Sequence, residues 1–295
     1  MNIKRNDTTY SRIFDGFNVL LLIAFSVVMI LPFIYIVGCS FATVGEIASR
    51  PFFLIPRTFQ LEAYKYIFSS SSLPRALFNS IFVTVSGTLL SLFCTLTFAY
   101  PLSKRYFAPR TLFLTLITFT MVFGGGLIPG YLNIKNLGLL NSFGALIVPG
   151  AISTWNLIVV KNFFQALPQE LEESAKIDGA TDIQIFIKIV LPLSLATIAT
   201  FALFYAVSYW NDYRSALFYL PSANKKWTLQ LILRNIVMMS SGNIDDSRYD
   251  PNLVQPPAES VKNAVIVFST VPILLVYPFL QKHFTKGVMV GAIKG

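Results

Sequence analysis

Hydrophobic residues fall along this chain in six long runs, and the polar stretches between them differ sharply in length and pattern. Phe17 to Phe41 is apolar for about 25 residues, enough to cross roughly 30 Å of hydrocarbon as a helix. Further runs cover Ala76–Leu102, Thr111–Tyr131, Ser142–Phe164, Leu193–Phe218 and Val261–Gln281. The expected architecture is an all-α integral membrane protein: one domain over residues 1–295, six transmembrane helices, both termini on one side.

One interruption carries more pattern than the rest. Leu167 to Pro192, LPQELEESAKIDGATDIQIFIKIVLP, predicts two short helices. Pro168 suits a first helical position, and Glu170, Glu172 and Glu173 crowd the first turn, where the macrodipole favours them. Asp178-Gly179 breaks the chain, since glycine tolerates a left-handed turn. Thr181 and Gln184 then form a capping box, and Ile183, Phe186, Ile187 and Val190 mark one apolar stripe. Two such helices between membrane spans make a compact knob suited to a groove on another protein. The plainer alternative is an amphipathic connector lying on the membrane.

Composition supports the membrane class. The chain is 54% hydrophobic and 13% charged with mean hydropathy +0.62, against about 25% charged in a soluble domain. The net charge of +9 fits loops that meet anionic headgroups, and no nucleic-acid partner is implied. Cys39 and Cys94 both lie in apolar runs and read as small buried residues. For sidedness, the short turn Ser103–Arg110 holds Lys104, Arg105 and Arg110, against Lys135 in the comparable turn opposite. The positive-inside rule therefore places the termini and Leu167–Pro192 in the cytoplasm, although Lys and Arg divide almost evenly over all loops.

The constellation Glu173-Ser174-Ala175, three residues, Gly179, nine residues, Ile189-Val190-Leu191-Pro192 resembles the EAA motif of ABC-importer permeases. Ser174 departs from the family's alanine but stays small. The resemblance extends over essentially the whole chain and is similar to carbohydrate-uptake permeases of the maltose type, with a type I importer fold. It implies that Leu167–Pro192 is the coupling loop that sits in a cleft of an ATPase subunit. Leu171, Ala175, Ile177 and Phe186 would then supply apolar contact and Glu173 a polar one, with Ser174, Asp178, Gly179 and Ala180 shaping the turn. It further implies two ATP-binding cassette subunits holding ATP and Mg, a second and non-identical permease subunit, and an extracytoplasmic solute-binding protein. The implied setting is a bacterial cytoplasmic membrane, with a sugar or oligosaccharide as solute. Two other readings stay open: a permease for an amino acid or polyamine, and a membrane receptor or assembly factor that does not transport.

Other stretches carry weaker signals. Gly124-Gly125-Gly126 near the end of the third run reads either as a broken helix beside the path or as close helix packing. Tyr209-Trp210-Asn211-Asp212-Tyr213 lies about 26 Å along the fifth run from Leu193. There it forms either an interfacial aromatic belt or a sugar path, in which aromatic faces pack on pyranose rings while Asn211 and Asp212 bond hydroxyls. Thr43–Arg75 and Pro221–Glu259 are the longer outer segments expected to meet the binding protein. Trp227 to Met239 has helical periodicity, and Ser240–Pro257 is rich in turn residues. The glycines at 287, 291 and 295 argue against a stable helix in the tail Lys282–Gly295. That tail resembles the glycine-rich ends of oligosaccharide permeases, which implies that Lys286, Gly287, Gly291 and Gly295 reach the ATPase interface.

The sequence holds no phosphate-binding loop, so ATP hydrolysis is assigned to partner subunits and no catalytic residue is expected. No His/Cys cluster suggests a metal, and His283 is the only histidine. The spans are nearly free of charge, which argues against a carrier driven by intramembrane carboxylates.

Overall fold

The computed structural model describes residues 9–240 and 259–292, and every regular element among them is helical. In chain order the helices begin with α1 Thr9–Ser40, α2 Val44–Ser49, α3 Glu62–Ser69, α4 Ser72–Ser103 and α5 Arg110–Val122. Next come α6 Leu127–Asn136, α7 Gly144–Ile147, α8 Thr154–Gln165, α9 Gln169–Ile177 and α10 Asp182–Ile185. A π-helical turn Phe186–Val190 leads into α11 Leu191–Leu193, α12 Leu195–Asn211, α13 Arg214–Tyr219, α14 Leu229–Ser240 and α15 Glu259–Ala292.

The six runs become helices of three kinds. Ile13–Ser40, Ser72–Ser103 and Glu259–Val276 are each long and apolar enough to cross a membrane. Two further stretches reach that length only as bent pairs, α5 with α6 at 120° and Asp182–Leu193 with α12 at 80°. The run Ser142–Phe164 is divided between α7 and α8. Pro149 lacks the N–H needed to continue α7, and Ser153 starts α8 afresh by accepting the Asn156 N–H at 3.4 Å. The fifth run stops at Asn211 instead of continuing to Phe218, because Asp212 caps the next short helix by accepting the Ser215 N–H at 3.1 Å.

The bend between α5 and α6 settles one reading of the triple glycine. Gly126 has φ +84°, a conformation only glycine adopts without strain, and it begins α6. A Cβ at Gly124 or Gly126 would meet nothing within 4 Å in this chain, so these glycines break a helix and do not serve close packing here. The tail differs from expectation as well. Its backbone is helical through Gly287 and Gly291 to Ala292, while Gly295 lies outside the described residues. Two glycines cost about 2 kcal/mol of helix propensity, which a continuous 34-residue helix absorbs.

Two compact units emerge from the contacts. The first holds α1 to α3, the end of α14 and the start of α15. Its α1 is apolar and exposed over most of its length, and a small core of Cys39, Ala42 and Phe53 forms at its C-terminal end. The carboxylate of Glu46 is buried there, accepting the Arg57 N–H at 2.9 and 3.1 Å and a bond from the Arg50 guanidinium. The Arg57 N–H, then Arg50, hold its pKa below the ordinary carboxyl value in spite of burial.

The second unit holds Ser70–Asn235 and the rest of α15. Its core joins α4 (Ala99, Tyr100, Leu102), α8 (Leu157, Val160, Phe164), α12 (Phe201) and two residues of the knob, Ile185 and Val190. Buried hydroxyls lace α4 to α12: Thr95 meets Tyr205 at 2.7 Å and Ser91 meets Tyr209 at 3.0 Å. Tyr209 also donates to the Ile147 carbonyl at 3.0 Å, and Tyr205 accepts the Ser153 N–H at 3.2 Å. The Tyr209 ring lies so close to Gly87 that a Cβ there would sit 2.7 Å from it. At the Ser72 end of α4, Asn79 donates to the carbonyls of Lys225 and Trp227, each at 2.9 Å. Ser80 accepts the Leu229 N–H at 2.8 Å, so residues 225–229 are pinned to α4.

Candidate functional site

Local chemistry dictates the two-helix knob. Pro168, with φ −57° and ψ 120°, is the N-cap of α9 and not its first helical residue. Glu170 and Glu172 occupy the first turn. At the other end, Gly179 has φ +83°; its N–H donates to Lys176 at 3.0 Å and the Ala180 N–H to Ala175 at 2.9 Å. Those two bonds form a Schellman motif with glycine at its left-handed position. Thr181 and Gln184 complete the expected capping box, at 3.4 and 2.9 Å.

The second helix departs from the predicted stripe. Ile185 and Val190 are fully buried although five residues separate them, a spacing that would put them on different faces of an α-helix. The π turn brings them together through i→i+5 bonding: the Leu191 N–H donates to the Phe186 carbonyl. Phe186 turns inward with them, its ring 4.8 Å from Tyr100 and 6.4 Å from Phe164. Ile183 and Ile187, predicted on the same face, are instead exposed, Ile183 at 71%.

The predicted site residues therefore divide. Ala175, Ala180 and Phe186 are half-buried and pack against this chain's own core. Leu171, Glu173, Ser174, Ile177, Asp178 and Gly179 face outward, and Ile177 is 86% exposed. Ile183 and Ile187 join them as exposed apolar groups, parted from Phe186 and Val190 with which the 3.6-residue pattern grouped them.

Charged residues that the sequence reading left aside hold the knob in place. Lys104, just past α4, contacts both carboxylate oxygens of Glu172, with their side chains 11% and 13% exposed. The same ammonium lies 4.6 Å over the Tyr100 ring. Lys176 bridges α9 to α10 by pairing with Asp182 at 3.1 Å, and it lies 4.3 Å over the Tyr106 ring. Tyr106 donates to Asp182 at 3.1 Å. Burial works to raise the Asp182 pKa, but bonds from Lys176 and Tyr106 outweigh it and hold the carboxyl below its ordinary value. Burial likewise opposes the Lys176 charge, yet Asp182 and Tyr106 keep its pKa raised. A largely apolar groove of about 630 Å³ runs beside this cluster, from Phe93 and Thr97 on α4 to Ile183 and Ile187.

The aromatic end of the fifth run also divides. A cavity of about 910 Å³ lies between the α7–α8 junction and α12–α13. Tyr209 and Asp212 line it; Trp210 and Asn211 do not. Trp210 is 7% exposed, and its indole N–H donates to the Ser269 carbonyl at 3.2 Å. It packs inside this chain and does not line this cavity, and Asn211 is exposed outside it. Sequence reasoning missed Ser153, Asn156, Tyr205 and Ser208, which line the cavity. Among the described residues no group of three or more His, Cys, Asp or Glu side chains could hold a metal. The segment 241–258 and the side chains of the tail lie outside the described residues.

Residues 4–290 match the family described as binding-protein-dependent transport system inner membrane component. Protein LplC of Bacillus subtilis is 52% identical over 290 residues, covering 98% of each chain. The polygalacturonan/rhamnogalacturonan transport system permease protein YtcP of the same organism is 51% identical over 285 residues, covering 97% of this chain and 99% of that protein. A solved structure of a bacterial ABC transporter involved in import of the acidic polysaccharide alginate superposes with TM-score 0.85 at 33% identity, covering 95% of this chain and 100% of that one. Apolar helices, a knob with the EAA spacing and matches along nearly the whole chain converge: this protein belongs to the binding-protein-dependent transport system inner membrane components, the permease subunits of ABC importers.

Proposed function

We propose that this chain forms half of the solute path of an ATP-driven importer for oligosaccharides. The Leu167–Pro192 knob docks in a groove of a separate ATPase subunit and carries its closure into the helices around the cavity. The observation that carries this reading is the knob itself. It is a rigidly capped helix pair that is held by the Lys104–Glu172 ion pair yet leaves Leu171, Ile177, Ile183 and Ile187 uncovered. Exposed apolar groups on a preorganised protrusion fit a partner's groove. The saccharide assignment is supported by the names of YtcP and the alginate importer, and by a cavity that mixes aromatic rings with hydroxyl and carboxylate groups. A second permease subunit, two ATPase subunits with ATP and Mg, and a solute-binding protein complete the assembly. Both termini and the knob then face the cytoplasm, and the Lys286–Gly295 tail reaches toward the ATPases.

Two measurements test this. Vesicles reconstituted with all subunits and loaded binding protein should accumulate labelled oligosaccharide only with ATP. Absence of uptake, or uptake of an amino acid or polyamine instead, overturns the assignment. A Ser174→Cys variant in a background lacking Cys39 and Cys94 should resist an impermeant thiol reagent in intact cells and react in inverted membranes. Labelling from outside overturns the orientation.

A further inference from the structure

The wall of the 910 Å³ cavity is apolar along Leu146, Ile152, Leu203 and Val207, and polar along Asn156, Ser208 and Asp212. Ser208 on α12 and Asp212, the residue just past its end, stand four residues apart and both face the cavity. Among the described residues, Asp212 is the only Asp, Glu, Lys, Arg or His that lines the cavity. It accepts the Ser215 N–H at 3.1 Å, and among the described residues no cation pairs with it. The two lining tyrosine hydroxyls are already engaged, Tyr205 with Thr95 and Tyr209 with Ser91 and the Ile147 carbonyl. Among the described residues, a solute at this wall therefore meets a carboxylate, an amide and the serines Ser153, Ser208 and Ser215, with no positive charge.

We propose that Asp212 is a specificity-determining residue, accepting hydrogen bonds from the hydroxyls of neutral sugar units and turning carboxylate-bearing units away from this wall. This rests on the reading of the chain as an oligosaccharide permease. An ionised carboxylate only accepts hydrogen bonds, and sugar hydroxyls donate them, so the match with a neutral ring is direct and charge-assisted. A uronate carboxylate is also acceptor-only. Brought against Asp212 it gains no bond and adds like-charge repulsion, which apolar walls screen less than water does. An acidic saccharide crossing here must turn its carboxylates to the other permease subunit.

The test uses the complete reconstituted transporter with its binding protein, comparing uptake of a neutral trisaccharide with a uronate-containing trisaccharide. The binding protein's own preference is common to all variants and cancels when their uptake ratios are compared. Asp212→Asn keeps an acceptor for the Ser215 N–H and should raise the uronate-to-neutral ratio about tenfold. Ser208→Asp, which adds a second carboxylate to the same face, should lower that ratio about tenfold. A change smaller than threefold in both variants, or a shift of either in the opposite direction, overturns the proposal. Uptake of neither trisaccharide by the wild-type complex is a different result, and it overturns the saccharide reading itself.

Discussion

Replacing Lys104 with methionine should uncouple the knob from the bundle without dissolving either. The Lys104 ammonium contacts both oxygens of Glu172, and each side chain is close to nine-tenths buried. Breaking one partner of a fully buried pair costs about 3–5 kcal/mol, and an exposed pair is worth about 0–1. The exposure here places the loss at about 2–3 kcal/mol, most of it from a desolvated Glu172 carboxylate left alone. The contact with Tyr100 adds about 0.5–1 kcal/mol. A loss near 3 kcal/mol lowers the seated population of α9 about a hundredfold. The second helix stays anchored through Ile185 and Val190, both buried in the core formed with α4, α8 and α12. The expected result is normal assembly and basal ATPase activity of the complex, with loss of the stimulation by loaded binding protein. Adding Glu172→Leu should restore it, since an apolar pair removes the stranded charge and is often neutral or stabilising. Wild-type stimulation in Lys104→Met refutes the reasoning. So does a double variant no better than the single one, which would mean that Lys104 acts on the partner directly.

Three more outcomes follow from the same geometry. Gly179→Asp and Glu173→Lys should insert normally and abolish stimulated ATP hydrolysis; at φ +83° any Cβ costs on the order of 1 kcal/mol and re-aims α10 against α9. Trp210→Ala should lower the melting temperature of the purified complex, because it empties a buried site and removes the indole bond to the Ser269 carbonyl, whereas Asn211→Ala should not; equal melting temperatures would refute a packing role for Trp210. The Asp182 carboxyl titrates below its ordinary value, so its support of the knob is complete above the ordinary carboxyl range and is lost as pH falls through its lowered pKa. Stimulated ATPase activity at acid pH should therefore fall more steeply in wild type than in Asp182→Asn, and parallel profiles would exclude Asp182 as a contributor.

The knob was legible because its signals are local. Pro168, the acidic first turn, Gly179 and the Thr181–Gln184 box each act within a few residues, and the caps formed at the places their chemistry demands. Its facing was not legible, because a 3.6-residue period cannot anticipate a π turn. Ile185 and Val190 share a face only once the backbone has widened, and tertiary packing on Tyr100 and Phe164 decides that. The aromatic cluster misled for a related reason. Of the neighbours Tyr209, Trp210, Asn211 and Asp212, the first and last line the cavity, Trp210 is buried in packing and Asn211 is exposed, so a cluster in sequence is divided around one helix end. Lys104 was legible only as a sidedness charge, since its partner lies 68 residues further along the chain.

The helix that ends at the cavity begins at the knob. The π turn runs through α11 into α12, and the 80° bend between them is fixed at Ser194. Ser194 is fully buried, and both its N–H and its hydroxyl bond the Val190 carbonyl, at 3.1 and 2.6 Å. The N–H also reaches the Leu191 carbonyl at 3.1 Å, and the Ser194 carbonyl accepts the Ile198 N–H at 2.9 Å, so the bend keeps its buried backbone groups bonded. From there α12 extends 17 residues, about 26 Å, to the Ser208–Asp212 face. A tilt of about 10° at Ser194 therefore swings the cavity wall by about 4 Å, several times the slack of a packed interior. The hydroxyls of Tyr205 and Tyr209 tie that swing to α4 and to the α7–α8 junction opposite. On the proposed reading of the knob as the coupling element, its movement reaches the cavity wall through this one helix.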